Sequence, residues 1–268
     1  MSPVVEMSGD ILKIHPIVFT NGMSNAKHHI GIVSPISNFP SLTMPVLENL
    51  TIMLNAMGIG ENTYKVLMIR DLVQRPFDVS RKVWEMSRCQ SAGNGGLMRT
   101  SIVGLFPKAV RQCAENICKL THYDPRCVGS CVVVSELIHT IVYGEHIQTF
   151  TEILEIAQEY DERILPYVER AWQEDDIMNL MDDEYMGYTL VTLSVALWAF
   201  WHSTSFTEGL LKVVNAGGDA DTNAAVACAI LGAKYGFCAI PKEYVDGLIY
   251  NSQLEEVVES LTQLCIKE

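Results

Sequence analysis

The sequence has few basic residues, and none of them forms a cluster larger than a pair. Its 268 residues include 19 Lys and Arg against 32 Asp and Glu, which gives a formal net charge of −13. A surface of that charge repels nucleic acid and anionic lipid. We therefore expect neither a nucleic acid nor a membrane among the partners.

The chain also lacks the roughly 20-residue apolar run that a membrane span needs. Its apolar stretch 188–203 is interrupted by Thr189, Thr192, Ser194 and His202. The first residues, MSPVVEMSGD, lack the charged and then apolar layout of a signal peptide. The eight cysteines include no C-x-x-C pair and lie in apolar contexts such as AVACAIL, which favours reduced core thiols over disulfides. We expect a cytoplasmic protein.

From about residue 44 onward, apolar residues recur at helical spacing, and no segment alternates as a strand does. Asp124 before Pro125 is typical of a helix start, while Gly144, Gly217 and Gly236 follow expected helix ends. The pattern predicts an all-α fold, a single compact multi-helix domain spanning 1–268. The predicted helices lie within these segments: 44–58, 78–88, 107–120, 124–144, 149–172, 186–203, 205–217, 222–236 and 254–266.

Two segments depart from this pattern. Residues 1–43 contain Pro3, Pro16, Pro35 and Pro40 among Gly, Ser and Asn, so we expect an irregular N-terminal segment packed on a helical body, 44–268. The acidic stretch WQEDDIMNLMDDEYMGY is most simply a solvated connection into the next helix.

The densest polar cluster is GGDADT, which directly precedes the small, apolar residues of an expected buried helix. Either Asp219 or Asp221 is acceptable as an ordinary helix cap. Two carboxylates with the Thr222 hydroxyl exceed what one cap requires, and their repulsion calls for a hard cation such as Mg²⁺, Mn²⁺ or Ca²⁺. An EF-hand is excluded because its glycine and glutamate positions hold Ala224 and Ile230.

Two weaker signals accompany this cluster. The stretch SAGNGGLMRTSIVGLF predicts a loop that gives way to a helix near Leu97. Its backbone N–H groups suit an anion such as phosphate, although a turn that needs positive φ at Gly95 or Gly96 explains the glycines equally well. His122, between two helices, is either a packed hydrogen-bonding residue or a ligand-contacting one.

Four motifs, in order, carry a family resemblance: SAGNGGLMR, THYDPRC, DDEYMGY and GGDADTNAAVACAILGAKYG. Over residues 91–241 the chain resembles the ADP-ribosylglycohydrolase family, all-α magnesium-dependent enzymes that remove ADP-ribose from modified proteins or small molecules. The resemblance implies that ADP-ribose, or a protein or small molecule bearing it, is the partner. It also implies a cofactor of one or two Mg²⁺ or Mn²⁺ ions.

The resemblance also assigns site residues. Asp219, Asp221 and Thr222 would be metal ligands, and the two aspartates would act in catalysis beside an oxocarbenium-like transition state. His122 would approach the diphosphate. The remaining substrate-binding positions implied are Ser91, Gly93, Asn94, Gly95, Gly96, Gly217 and Gly218.

The N-terminal part departs from the family pattern. In FPSLTMPVLENL, Ser41 and Leu42 stand where the family carries carboxylates. Gly9-Asp10 resembles a first family motif, yet no further acid follows until Glu48. Three hypotheses result: a hydrolase with impaired catalysis, a non-catalytic binder of ADP-ribose or of a protein partner, and a structural protein that keeps only the fold.

Overall fold

The computed structural model describes residues 60–144, 146–181 and 186–266. Within these ranges the chain is helical, with no strand and one isolated antiparallel bridge between Gly93 and Tyr188. The all-α prediction is confirmed. The helices are α1 Glu61–Leu67, α2 Pro76–Met86, α3 Leu97–Thr100, α4 Val110–Lys119, α5 Pro125–Val142, α6 Phe150–Tyr160, α7 Leu165–Gln173, α8 Thr189–His202, α9 Phe206–Ala216, α10 Ala220–Tyr235, α11 Lys242–Asp246 and α12 Asn251–Ile266.

The helix boundaries follow the predicted signals. The Asp124 side chain accepts a hydrogen bond from Arg126 N and caps α5. The three predicted terminal glycines all have positive φ: 66° at Gly144, 80° at Gly217 and 84° at Gly236. Glycine at these places ends a helix without steric cost.

One predicted helical segment, 149–172, is two helices rather than one. The Asp161 side chain accepts a hydrogen bond from Arg163 N, which starts a short 3₁₀ turn, Glu162–Ile164. Pro166 then lies in the first turn of α7. Because proline suits the start of a helix and breaks its interior, the chain stops and restarts here.

Helices α5, α8 and α10 form the centre of the fold. Nearly every residue of α8 is buried, as is every residue of α10 from 222 to 232. Helix α5 is long and apolar enough to cross a membrane by length and composition alone, but 72% of it is buried inside the protein.

All eight cysteines are free, as predicted, although Cys238 is exposed rather than in the core.

Several expectations fall outside the described residues. These are the irregular segment 1–43, the helix expected over 44–58 and the degenerate motif at Ser41 and Leu42. Conversely, the structure adds α1 and α11, two short helices that the periodicity did not single out.

Candidate functional site

The acidic pair, Asp219 and Asp221, lies at the start of α10. Gly217 and Gly218, with φ of 80° and 61°, turn the chain from the end of α9 directly into α10. A Cβ at Gly218 would lie 2.8 Å from Met181 Cε, a flexible side-chain end that can move aside, so it is the positive φ that favours glycine there. The sharp turn predicted from these glycines is present, and it sets the two carboxylates at the mouth of a buried helix.

Asp219 does not cap this helix with its side chain. It occupies the capping position but makes no capping hydrogen bond; its Oδ2 instead accepts one from Asn94 Nδ2 at 2.7 Å. Burial raises the pKa of Asp219, and the neighbouring Asp221 raises it further, while Asn94 and Thr222 oppose the shift. Asp221 is exposed and accepts a hydrogen bond from Thr222 N at 2.8 Å. The pair therefore combines one half-buried and one exposed carboxylate.

The glycine-rich loop, 91–96, is fixed against the start of α8. Asn94 N donates to Gly187 O, and Thr189 N donates to Ala92 O, both at 2.9 Å. The expected positive φ at Gly95 or Gly96 is wrong, since Gly96 has φ −70° and Gly95 is not among the positive-φ glycines.

Close packing explains these two glycines instead. A Cβ at Gly95 would lie 3.2 Å from His122 Cε1, and one at Gly96 would lie 3.1 Å from Cys118 Sγ. Glycine lets the loop backbone lie directly on these two side chains.

A buried polar network joins the loop to the acidic pair. Asn94 Nδ2 donates to Thr192 Oγ1 at 2.9 Å as well as to Asp219, and Thr192 Oγ1 donates to Asn223 Oδ1 at 2.8 Å. All three uncharged residues are at least nine-tenths buried. Because both amide hydrogens of Asn94 are engaged, its side chain orients Asp219 rather than donating to a ligand. Thr192 and Asn223 had no assigned role in the sequence, although Asn223 lies within the GGDADTN motif.

His122 lies beneath the glycine-rich loop and is 2% exposed. Its Nδ1 shares a hydrogen bond with Thr121 Oγ1 at 2.8 Å, and Arg99 Nη2 donates to the same hydroxyl at 2.6 Å. Burial, aided by the charge of Arg99, lowers the pKa of His122 to about 3. The imidazole is neutral at pH 7, and its surroundings are those of a packed histidine. A contact between His122 and a diphosphate stays a prediction.

The other predicted positions lie along the same loop and helix start. Ser91 Oγ donates to Asn62 Oδ1 at 3.0 Å, and Asn62 Nδ2 donates to Thr121 O at 2.7 Å, which ties the loop to α1. Thr222 is 5% exposed, and its Oγ1 makes a weak contact with Met98 Sδ at 3.8 Å. Ser91 and Thr222 are thus held by the protein itself, and their roles toward a ligand remain predictions.

An ion pair that the sequence did not reveal supports the loop from below. Asp124 is 0% exposed and accepts from Arg126 Nε at 2.8 Å, from Arg126 Nη2 at 2.7 Å and from Trp84 Nε1 at 2.9 Å. Arg126 Nη1 also donates to the Tyr188 hydroxyl at 3.2 Å. Because Tyr188 pairs with Gly93, this ion pair anchors the strand-like contact that holds the loop.

The oxygen donors at the start of α10 fit a hard cation. Asp219 and Asp221 bring two carboxylates close together, and Thr222 adds a neighbouring hydroxyl. Among the described residues, no group of three or more His, Cys, Asp and Glu side chains is arranged to hold a metal ion. The departures at Ser41 and Leu42, and the acids Asp10 and Glu48, lie outside those residues.

A small pocket opens directly over Asp219. Its walls include Met181, Met186 and Tyr188, together with Asn223 on α10. The pocket therefore brings together the DDEYMGY motif, 182–188, and the GGDADTN motif, 217–223, which are well separated in the sequence.

A model of the ADP-ribosylglycohydrolase family matches residues 46–268. The chain belongs to this family. An ADP-ribosylarginine hydrolase, Tri1, of Serratia proteamaculans is 26% identical over 67% of this chain and 49% of its own length. An uncharacterized protein of Archaeoglobus fulgidus is 30% identical over 68% and 61%, respectively. An ADP-ribosyl-[dinitrogen reductase] glycohydrolase of Rhodospirillum rubrum is 25% identical over 59% and 51%.

The ADP-ribosylglycohydrolase fold is also found in a solved structure. A chain titled ADP-ribosylglycohydrolase-related protein complex aligns over 97% of this chain and 98% of its own length, with a TM-score of 0.60 and 21% identity. That likeness concerns the fold. The matched regions span 49% of the Serratia relative and 51% of the Rhodospirillum relative, so the activities of those whole proteins are not transferred with family membership.

Proposed function

We propose that this protein is a magnesium- or manganese-dependent ADP-ribosyl hydrolase that acts on ADP-ribosylated proteins or small molecules. One observation carries the proposal. The 2.7 Å hydrogen bond from Asn94 to Asp219 joins the glycine-rich loop to the acidic pair at one surface position. The two family motifs that the resemblance assigns to substrate and to metal are therefore neighbours in space.

The reaction is the hydrolysis of a glycosidic bond. Water adds to the anomeric carbon of the ribose, the bond from that carbon to the acceptor nitrogen or oxygen breaks, and the acceptor leaves with a proton. The transition state resembles an oxocarbenium ion, which nearby negative charge stabilises. Asp219 and Asp221 supply that charge, and Asp221 is the more exposed of the two.

Asp219, Asp221 and Thr222 are the residues that would hold the cation. A bound Mg²⁺ or Mn²⁺ supplies Lewis-acid polarisation and a fixed position for the ribose hydroxyls. Asn94 contributes by fixing one carboxylate oxygen of Asp219. This hydrogen bond leaves Asp219 Oδ1, together with the Asp221 carboxylate, available to a cation or a substrate hydroxyl.

The glycine-rich loop is proposed to line the ADP-ribose with its backbone. Gly93 and Gly95 rest on the His122 ring, so the loop is supported from beneath while its other side is partly exposed. A supported backbone without side chains permits close approach of a ligand. The neutral His122 would act through this support, because a buried imidazole of low pKa carries no charge toward a diphosphate.

A second candidate function is ADP-ribose binding with little or no turnover. It is favoured by the small number of acidic side chains at the site, since no third His, Cys, Asp or Glu side chain joins the pair within the described residues. Each lost electrostatic element costs on the order of 10²- to 10³-fold in rate. We accordingly propose slow hydrolysis compared with a family member that carries the full set of acids.

Two measurements test these functions on the full chain with Mg²⁺ or Mn²⁺ present. Calorimetry with ADP-ribose should give saturable binding, and a release assay on peptides ADP-ribosylated at arginine or serine should give slow, metal-dependent turnover. Loss of release in Asp221→Asn with ADP-ribose binding retained would support the hydrolase. Binding without any release by the wild type would favour the second candidate. Absence of both would refute the two together and favour a purely structural role.

A further inference from the structure

Four residues around the acidic pair form a closed ring of hydrogen bonds. Asn94 Nδ2 donates to Asp219 Oδ2 at 2.7 Å and to Thr192 Oγ1 at 2.9 Å. Thr192 Oγ1 in turn donates to Asn223 Oδ1 at 2.8 Å. The backbone completes the ring, because Asn223 N donates to Asp219 O at 2.9 Å within α10. The ring therefore joins the glycine-rich loop, α8 and α10 at the residue that carries the half-buried carboxylate.

The Thr192 hydroxyl fixes the orientation of the Asn94 amide. A hydroxyl has one proton, and Thr192 donates it to Asn223, so Thr192 can only accept a hydrogen bond from Asn94. It therefore selects the NH₂ end of the amide, and the second hydrogen of the same nitrogen is directed at Asp219. With the amide turned over, its carbonyl oxygen would face an engaged hydroxyl and a carboxylate, and neither of these groups would donate to it.

This second hydrogen bond matters most when a cation is present. A cation bound by Asp219 would reduce the negative charge that attracts the Asn94 amide, so the bond between these two residues alone would hold the amide less firmly. Thr192 holds the amide by its other hydrogen. It lines the small pocket over Asp219 but is only 1% exposed, so water does not compete for its hydroxyl.

The ring does more than satisfy buried polar groups. Asp219 occupies the capping position of α10, where a side chain usually accepts from the first N–H groups of the helix, yet it makes no such bond. Its carboxylate is bonded across to the loop instead. A local cap would stabilise α10 without any help from Thr192, so the bond to Asn94 favours control of the carboxylate's direction over stabilisation of the helix.

We propose that Thr192 is a positioning residue, which acts through the Asn94 amide to hold the Asp219 carboxylate in the orientation that binds a divalent cation together with Asp221. Thr192 itself contacts neither the cation nor the substrate. This inference rests on the proposed function, and it extends the metal site to a residue on α8 that supplies no ligand.

The test measures the Kd for Mn²⁺ from the electron paramagnetic resonance signal of the free ion, on the full chain without substrate. Thr192→Val removes the hydroxyl but keeps the shape of the side chain, and Thr192→Ser keeps the hydroxyl. The control is Ser194→Ala on the same helix, because Ser194 is also 1% exposed and its Oγ has no hydrogen-bond partner among the described residues. Thr192→Ala replaces Thr192→Val if circular dichroism shows that the latter does not fold.

We expect Thr192→Val to weaken Mn²⁺ binding by about tenfold, the lower end of the range for residues that orient metal ligands. Thr192→Ser and Ser194→Ala should bind Mn²⁺ as the wild type does. A double-mutant cycle distinguishes positioning from a general disturbance of the fold. In an Asn94→Ala background, which itself weakens binding, Thr192→Val should leave the Kd unchanged because its connection to Asp219 is already broken.

Three outcomes would overturn the inference and leave the proposed function intact. The wild type and Thr192→Val bind Mn²⁺ equally well, or Ser194→Ala weakens binding as much as Thr192→Val does. Alternatively, Thr192→Val weakens binding by the same factor with and without the Asn94 amide, which would mean that it does not act through Asn94. If the wild type binds Mn²⁺ no better than Asp221→Asn, the metal site of the proposed function is itself refuted, and Thr192 has no metal ligand to position.

Discussion

Two aspartates at the candidate site differ in the groups that surround their carboxylates: Asp124 is fully buried, and Asp219 is half-buried. Asp124 accepts hydrogen bonds from Trp84 and from Arg126, whose guanidinium also neutralises its charge. Asp219 accepts one from Asn94, and the groups that act on its pKa include no basic side chain.

This difference in hydrogen-bond partners distinguishes a carboxylate that holds the fold in place from one that is available to a ligand. A buried carboxylate that is fully paired holds its neighbours in place and offers nothing to a ligand. A carboxylate set beside another acid, with one oxygen fixed by an amide and no basic partner, is stabilised by an added cation or a developing positive charge. We call Arg99, His122, Asp124 and Arg126 the anchoring region, and Asp219 and Asp221 remain the acidic pair.

The largest effect is expected from breaking the anchoring ion pair. Asp124→Asn leaves the Arg126 guanidinium, 7% exposed, without a counter-charge, and removal of one partner from a buried pair costs about 3–5 kcal/mol. Urea unfolding should show this loss in the free energy of unfolding. Glu61→Gln removes one partner of the exposed pair with Lys65 and should leave the free energy of unfolding nearly unchanged, because water screens that pair. Equal effects of the two variants would show that burial of the ion pair does not matter.

A smaller effect should come from His122, the neutral member of the anchoring region. Its pKa is lowered to about 3 in the folded protein, against about 6.5 in the unfolded chain. The unfolded state thus binds more protons between these values, so the contribution to stability is complete above pH 6.5 and falls as the pH drops towards 3. From pH 7.5 to pH 5.0 the loss amounts to about 2 kcal/mol.

Urea titrations of the wild type and His122→Gln at both pH values isolate this contribution. The variant should lose about 2 kcal/mol less than the wild type over that interval, whatever its stability at pH 7.5. An identical pH dependence in both proteins would mean that the His122 pKa is the same in the folded protein as in the unfolded chain, which would contradict the buried, neutral imidazole beneath the loop.

The sequence predicted the helices well because their signals are local. Asp124 with Pro125 and the positive-φ glycines each act within one turn of their own position. The prediction of one helix over 149–172 was wrong because the Asp161 cap, which is also a local signal, ends one helix and starts the next within a continuous apolar periodicity. Periodicity reports which face is buried, and it is insensitive to a short break that preserves that face.

The site was predicted less completely because its bonds join distant residues. Asn94 and Asp219 are 125 residues apart, and Asn94 and Thr192 are 98 apart. Family motifs indicated that the loop and the acidic pair share a function. They did not indicate that the Asn94 amide donates its hydrogen bond to Asp219. The pairing of Arg126 with Tyr188 left no sequence signal at all, since it depends on how α5 and α8 pack.

The smallest effect should come from the acidic pair, and its sign should depend on the metal. Without a cation, Asp221→Asn removes like-charge repulsion beside Asp219. The gain in stability should stay within about 0.5 kcal/mol because Asp221 is exposed. With Mg²⁺ at tenfold its Kd, the wild type gains about 1.4 kcal/mol by mass action, whereas the variant gains little.

Thermal melts in EDTA and in Mg²⁺ distinguish these states. The matched control is Asp246→Asn, an exposed aspartate on α11 paired with Lys242, which should respond to Mg²⁺ as the wild type does. If Mg²⁺ stabilises Asp221→Asn as much as the wild type, the cation binds elsewhere. If it stabilises neither protein, Asp219 and Asp221 hold no metal under these conditions. The contrast with Asp124 would then rest on hydrogen bonding alone, because an acidic pair without a cation would have only Asn94 and Thr222 to offset its repulsion.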